Sequence, residues 1–392
     1  VSDPVLFAQA FDLIQLLCRD GVIVAGHDIG SGGLITTLLE MCFSDPDAGA
    51  QIDLTGLGEA DNIKVLFAEN AGLVFQVQAG HEEKTESSFR EKGLALIKMG
   101  AYKSGSLLEV KNNSDLFSFK ISEWRDVWYR TSWLLDQKQS GVHKADERYK
   151  NYKDQPLTYC FPAGFDGKKP ETASPGQRIK AAVIREKGSN SERELANALY
   201  LAGFDVKDVH MTDLISGRET LEDVRFIGAV GGFSNSDVLG SAKGWAGAFK
   251  YNEKANETLM RFFDRKDTLS IGICNGCQLF IELGLINPDH DVKPRMHFND
   301  SHKHESGFTS VTIPENNSVM LSSLAGTTLG VWISHGEGKF ILPKEENAYH
   351  IAAKYGYSGY PANPNGSDYN TAMLCSADGR HLAPGRAARA AV

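Results

Sequence analysis

The chain has 392 residues, of which 42% are hydrophobic and 23% charged, an ordinary balance for a folded protein of two or three domains. A net charge of −9 and a pI of about 5.7 provide no basic surface to displace phosphate counterions, which excludes nonspecific nucleic-acid binding. No apolar run approaches the roughly 18 residues of a membrane span, and the six cysteines are too scattered for a disulfide framework, so no membrane association and a reduced, cytoplasmic setting are expected.

The first four residues, Val1-Ser2-Asp3-Pro4, are neither an initiator Met nor a signal peptide, which suggests a processed chain or a fragment. Residues 3–19 carry Leu6, Phe7, Ala10, Leu13, Ile14 and Leu17 at helical spacing, with Asp3 as N-cap and Pro4 at the first helical position. A short strand follows at 21–26. The Gly-rich turn 27–33 leads into a helix over 34–43, with His27 and Asp28 as turn or capping residues. Strands are predicted at 73–77 and 95–99, with a polar helix at 82–92 between them. Together these read as one α+β domain over residues 1–125.

Residues 122–152 are helical and aromatic-rich, with Trp124, Trp128, Tyr129 and Trp133 expected in the core and the charged stretch 138–153 as a solvated face. The Pro-, Gly- and Lys-rich stretch 162–176 reads as linker, so 126–178 is taken as a connecting segment. After it, strands at 180–184, 204–209, 226–230 and 269–273 alternate with helices at 191–202, 252–263 and from Cys274 through Leu283. This alternation predicts a parallel sheet covered on both faces within a domain over 179–392. Ser191 and Glu194 have capping-box spacing.

The most informative stretch is Gly272-Ile273-Cys274-Asn275-Gly276-Cys277-Gln278, where a strand runs into Gly-x-Cys-x-Gly and then a helix. That context suits a nucleophile elbow, because glycines permit the tight turn and the helix N-terminus lowers a thiol pKa. Asn275 N–H, next after the cysteine, and the paired glycines Gly231-Gly232 are placed to hold an oxyanion. Cys274-x-x-Cys277 also fits a redox pair or half of a zinc site, and a plainly buried cysteine is a third reading. A thiol nucleophile needs a base and an orienter. His335 and Glu337, two apart in extended backbone after the strand 328–333, are the candidates the residues offer, against a pocket wall with no proton transfer.

Gly-Ile-Cys-Asn-Gly-Cys-Gln, Gly231-Gly232-Phe233-Ser234 and Ser334-His335-Gly336-Glu337-Gly338 resemble class I (triad) glutamine amidotransferases. The whole chain resembles the C-terminal part of the large, single-chain phosphoribosylformylglycinamidine synthases, with further matches at 208–214, 236–245 and 361–367. The resemblance implies a flavodoxin-like amidotransferase domain with a parallel sheet. It is preceded by the α+β C-terminal half of an aminoimidazole-ribonucleotide-synthetase-like module, carried by Gly26-His27-Asp28, Gly32-Gly33-Leu34 and Leu66-Phe67-Ala68-Glu69.

It further implies Cys274 as nucleophile and glutamine near Gly232, Asn275 and Gln278, with no cofactor in the glutaminase domain. In the complete enzyme, ATP, Mg and formylglycinamide ribonucleotide join with an N-terminal synthetase segment absent here. Gly30, Ser31, Gly32 and Gly33 are a weak phosphate-cradle candidate. In the family, base and carboxylate partner lie in a Met-Pro-His-Pro-Glu-Arg stretch after the residues matching Gly379–Ala383, which argues against His335 and Glu337. This chain departs there, reading Pro384-Gly385-Arg386-Ala387-Ala388-Arg389-Ala390-Ala391-Val392, without His or Glu. Other departures are Gly30-Ser31 for Ser-Asp, Asn235 for an aromatic, and His304 and Gly307 for Phe and Arg. The expected outcome is a reactive thiol with weak or absent glutaminase turnover. A cysteine hydrolase or peptidase of the same architecture, or a noncatalytic fragment docking to a separate synthetase, are the alternatives.

Overall fold

The computed structural model describes residues 3–45, 47–153, 158–168 and 178–385. Most of the linker read at 162–176, and the tail after Gly385, lie outside these residues. The chain divides into two compact units, Val1–Ser132 and Trp133–Val392.

In the first unit, helix α1 (Pro4–Arg19) starts where the Asp3 carboxylate accepts the N–H groups of Val5 and Leu6, and it buries Leu13 and Leu17. Strand β1 (Ile23–Asp28) leads to α2 (Gly33–Cys42), then β2 (Ala48–Asp53), α3 (Asn62–Phe67), β3 (Leu73–Val77) and α4 (Glu82–Glu91). The unit continues through β4 (Gly100–Ser104), β5 (Leu107–Asn112) and β6 (Asp115–Lys120) into α5 (Ile121–Asn151). Strands β1 and β3 pair antiparallel, and the other four form a sheet in the order β4-β2-β5-β6. Leu34, Leu38, Leu54, Leu108 and Ile121 anchor the core between α2 and that sheet.

Several expectations fail here for tertiary reasons. The strand expected at 95–99 lies at Gly100–Ser104, where the backbone pairs with β2. His27 and Asp28 belong to β1 rather than to the turn. Trp124 and Trp128 are exposed, and Trp128 Nε1 donates to Glu40 at 2.6 Å rather than packing in a core. Helix α5 is broken at Gly141, whose φ of 78° and ψ of 158° are not helical. Its charged end is not merely solvated either, since Arg148 pairs with the buried Glu305.

The second unit adds β7 (Lys180–Arg185), α6 (Glu192–Leu201), β8 (Asp205–His210), α7 (Met211–Ser216), β9 (Phe226–Ala229), α8 (Lys243–Lys250) and α9 (Glu253–Asp264). Then come β10 (Leu269–Gly272), α10 (Asn275–Glu282), β11 (Arg295–His297), β12 (Glu305–Thr312), β13 (Thr328–His335) and β14 (Lys339–Ile341). Strands β15 (His350–Tyr355), β16 (Thr371–Cys375) and β17 (His381–Pro384) complete it.

Strands β8-β7-β9-β10-β17 are parallel, the flavodoxin-like order in which the crevice lies at the carboxyl ends of the strands. Ala181, Ala182, Val183 and Ile184 of β7 are all buried, as a strand covered on both faces requires. The sheet is not parallel throughout. Beyond β17 it continues antiparallel as β16, β15, β12 and β13, making nine strands. The capping box read at Ser191 does not form. Ser191 has a φ of 72° and makes no capping bond, and its hydroxyl meets Asn190 Oδ1 instead. Among the described residues no helix is long and apolar enough to cross a membrane.

Candidate active site

Cys274 stands between the end of β10 and the start of α10, at φ 54° and ψ −107°. A non-glycine residue at positive φ is strained, and such strain persists only where its surroundings enforce it. The glycines on either side do so by close approach. A Cβ on Gly276 would lie 2.6 Å from the Ala229 carbonyl carbon, and one on Gly272 would lie 2.7 Å from that of Gly276. The helix therefore packs directly onto β9, and the cysteine is turned out at the carboxyl edge of the sheet.

The half-buried thiol donates to the Ser334 carbonyl oxygen at 3.7 Å. Burial pushes its pKa up to about 11. The backbone N–H groups of Gly232 and Asn275 act the other way, and the Asp237 carboxylate adds to the rise. The lowering expected from the helix N-terminus is thus outweighed by desolvation. The two N–H groups that favour a thiolate are the two that would meet an oxyanion at this point. Gly232 reaches this place at φ 117°, packed against Ser189 and Asn190, where a side chain would clash. Gly231 accepts the Asn190 N–H through its carbonyl and supplies close approach, its would-be Cβ lying 3.4 Å from Cys274 Cβ.

Asn275 is fully buried, with its amide fixed on three sides. Its Oδ1 accepts the Ser234 N–H at 3.1 Å, and its Nδ2 donates to Asp237 at 3.1 Å and to Gln278 Oε1 at 2.8 Å. Gln278 in turn donates Nε2 to the Glu337 carbonyl at 2.9 Å. Both ends of the Gln278 amide are therefore engaged within the protein, so it shapes the wall of the site.

The expected hydrogen-bonded pair of His335 and Glu337 does not form. The His335 ring is 3% exposed, neither nitrogen has a hydrogen-bond partner among the described residues, and burial pushes its pKa down to about 4. Gly338 packs over the ring, where a Cβ would come within 2.7 Å of it. The Glu337 carboxylate turns away to accept the N–H and hydroxyl of Ser241. Asn299 holds the turn between them, donating to the His335 carbonyl at 2.8 Å and accepting the Gly338 N–H at 3.1 Å. Asp237 and Ser241 were not singled out from the sequence. Their signal there was membership of the 236–245 stretch that carries the resemblance, with no role attached to either residue.

Cys277, on the first turn of α10, is wholly buried in the core, and burial raises its thiol well above the usual range. In the first unit, Gly32 and Gly33 lie at φ 88° and 73°. Gly33 is pressed against the backbone of Leu66 and Phe67, and the Gly32 N–H is already taken by Glu69 Oε1 at 2.9 Å. Glycine is needed there for packing, and a carboxylate occupies the donor that a phosphate cradle would use.

Residues 178–384 match the family model described as a CobB/CobQ-like glutamine amidotransferase domain, and residues 1–106 match that of the AIR synthase related protein, C-terminal domain. The chain is similar to "Phosphoribosylformylglycinamidine synthase" of Homo sapiens, 36% identical over 421 residues that cover 98% of this chain and 31% of that protein. It is similar to "Probable phosphoribosylformylglycinamidine synthase, chloroplastic/mitochondrial" of Arabidopsis thaliana, 36% identical over 408 residues that cover 98% of this chain and 28% of that one. The chain thus spans less than a third of the length of these curated relatives.

Proposed function

The chain belongs to the family of CobB/CobQ-like glutamine amidotransferase domains, and on that premise we propose that Cys274 is the nucleophile that attacks the side-chain amide of glutamine. One observation carries this reading. The thiol stands on a strained turn between β10 and α10, at φ 54°, with the Gly231-Gly232 turn packed against it.

The sulfur adds to the amide carbon, and the carbonyl oxygen takes the charge between those N–H groups. The C–N bond then breaks as nitrogen gains a proton and leaves as ammonia, giving a thioester that water cleaves to glutamate. His335 is badly placed to donate that proton, being buried and held neutral. Residues 384–392 contain no His, Asp or Glu. Thiol addition is therefore expected to outlast turnover in this chain.

The names of its relatives extend the proposal. The ammonia would serve the ATP-dependent conversion of formylglycinamide ribonucleotide to its amidine, in the de novo purine route. The Gly30–Gly33 loop does not fit a phosphate of that ATP, because Glu69 holds the Gly32 N–H.

The test is covalent trapping with a diazo-ketone analogue of glutamine, the adduct being located by peptide mass spectrometry. An adduct confined to Cys274 and prevented by excess glutamine supports the proposal. A folded chain that gives no adduct, or an adduct indifferent to glutamine, refutes it.

A further inference from the structure

Behind the nucleophile lies a second carboxylate-bearing loop. Between the Gly231-Gly232 turn and α8, Asn235, Ser236 and Asp237 all have positive φ (51°, 58° and 47°), and so do Ser241 and Ala242. A run of left-handed residues this dense is costly and must be held from outside. Two carboxylates converge on it. Asp237 Oδ1 accepts the Ala242 N–H at 3.1 Å, closing the loop on itself, and its Oδ2 accepts Asn275 Nδ2 at 3.1 Å. Glu337 accepts Ser241 from the opposite side. The loop is thereby tied to the residue that follows the nucleophile.

We propose that Asp237 is a positioning residue for the Cys274 site: it clamps the Asn275 side chain so that the Asn275 N–H faces the sulfur. The inference rests on Cys274 being the reactive thiol, as proposed above. The groups that bear on the pair are few. Burial raises the pKa of Asp237 and the Glu337 carboxylate adds to the rise, while burial raises that of Cys274 and Asp237 adds to it. Cys277, behind Cys274, is buried and neutral. A negative charge beside a thiol disfavours the thiolate, whereas an N–H aimed at the sulfur favours it. Asp237 does both, the first directly and the second through Asn275.

The two effects separate in variants. Asp237→Asn removes the charge and keeps the shape and one acceptor, while Asp237→Ala removes charge and clamp together. Alkylation of Cys274 by iodoacetamide, followed by peptide mass spectrometry across alkaline pH, reads ionisation alone. Trapping by the diazo-ketone analogue reads the formed site. In Asp237→Asn the alkylation profile is expected to move to lower pH, with alkylation at about pH 8 raised roughly threefold or more. In Asp237→Ala, trapping by the analogue should fall about tenfold or more relative to Asp237→Asn, through loss of an oriented donor.

A profile in Asp237→Asn that superimposes on the wild type overturns the charge effect. Equal trapping of the two variants overturns the clamp. If Asp237→Ala does not fold, Asn275→Ala, which removes the same hydrogen bond from the other side, takes its place in the comparison. If the analogue fails to label even the wild type while the iodoacetamide profile still shifts, the glutamine reading falls and the role of Asp237 stands.

Discussion

The main-chain N–H of Cys274 donates to the carbonyl oxygen of Pro384 at 3.3 Å. This bond extends the parallel pairing of β10 with β17, in which Ser270 lies opposite His381 and Ile271 opposite Leu382. Gly385 then donates to the Ala372 carbonyl and lies against Phe340 and Gly338, so the chain leaving β17 passes beside the nucleophile and the His335–Gly338 turn. That is the place from which a base could reach the sulfur. Replacing residues 384–389 by Met-Pro-His-Pro-Glu-Arg, the stretch characteristic of the resembling family, should raise glutamate release by about 100-fold or more, the usual contribution of a positioned proton donor. The check is steady-state glutaminase assay of both chains at equal trapping. A graft that folds, is trapped at Cys274 and still releases no more glutamate would show that the proton reaches nitrogen from elsewhere.

Gly276 offers a sharper test of the elbow. Its missing side chain is where the Ala229 carbonyl packs, so Gly276→Ala must push α10 off β9. Forcing even one methyl into such a contact costs about 1 to 3 kcal/mol. The expected result is a lower urea midpoint together with loss of analogue trapping, because the same shift moves the Asn275 N–H. Unchanged trapping in Gly276→Ala would mean that the elbow geometry is not what makes Cys274 reactive.

Two buried histidines make the second unit sensitive to acid. Burial pushes both His335 and His381 down to about 4. An unfolded chain protonates them near about 6.5. The folded state therefore binds fewer protons than the unfolded state between these values. Stability is whole above about 6.5 and falls as pH drops toward about 4, by on the order of 3 kcal/mol for each ring. Carboxylates titrate over part of the same window, so the informative quantity is a difference between variants. His381 Nδ1 meets Ser270 Oγ at 2.9 Å and its ring packs on Phe263. His381→Asn keeps a partner for that hydroxyl and removes the titration, so its stability should fall less steeply than the wild type's from about pH 6.5 downward. Parallel stability curves would refute the buried neutral imidazole.

How much of this was legible beforehand follows from which features are local. The Gly-x-Cys-x-Gly turn could be read because glycine spacing and the change from strand to helix are written within seven residues. Four of the five parallel strands could be read because helical patterns alternate with them; β17, which none follows, could not. Of the antiparallel half, only the strand read at 328–333 could, and it lies at Thr328–His335. Strands such as Glu305–Thr312 and Thr371–Cys375 pair with strands next to them in sequence and are joined to them without α-helices, so no helical pattern marks where one ends and the next begins. The thiol pKa was misjudged for the same reason, since the helix N-terminus is local but burial is not. Asp237 lies 37 residues before Cys274 in a loop of small polar residues, and only the fold brings its charge to the sulfur. His335 looked like a base because its spacing from Glu337 suits one. Nothing in that spacing revealed that Gly338 would cover the ring.

Arg148, near the end of α5, allows the structural role of a charged stretch to be tested directly. Its guanidinium donates to Glu305 Oε2 at 3.1 Å and lies 4.6 Å from the centre of the Tyr360 ring, whose hydroxyl donates to Glu305 Oε1 at 2.7 Å. The Glu305 side chain is only 6% exposed. Removing one partner of a buried pair leaves the other charge without compensation, which costs about 3 to 5 kcal/mol, whereas replacing both by apolar groups of similar size is often neutral. Arg148→Ala should therefore destabilise the second unit by about 3 kcal/mol, at the lower end because the Tyr360 hydroxyl remains. The double variant Arg148→Met with Glu305→Leu should recover most of that loss. Urea unfolding of both variants decides the matter: a double variant no more stable than Arg148→Ala would mean that Arg148 acts by packing on Tyr360 or by its pairing with the buried Asp136 at 3.6 Å, not by neutralising Glu305.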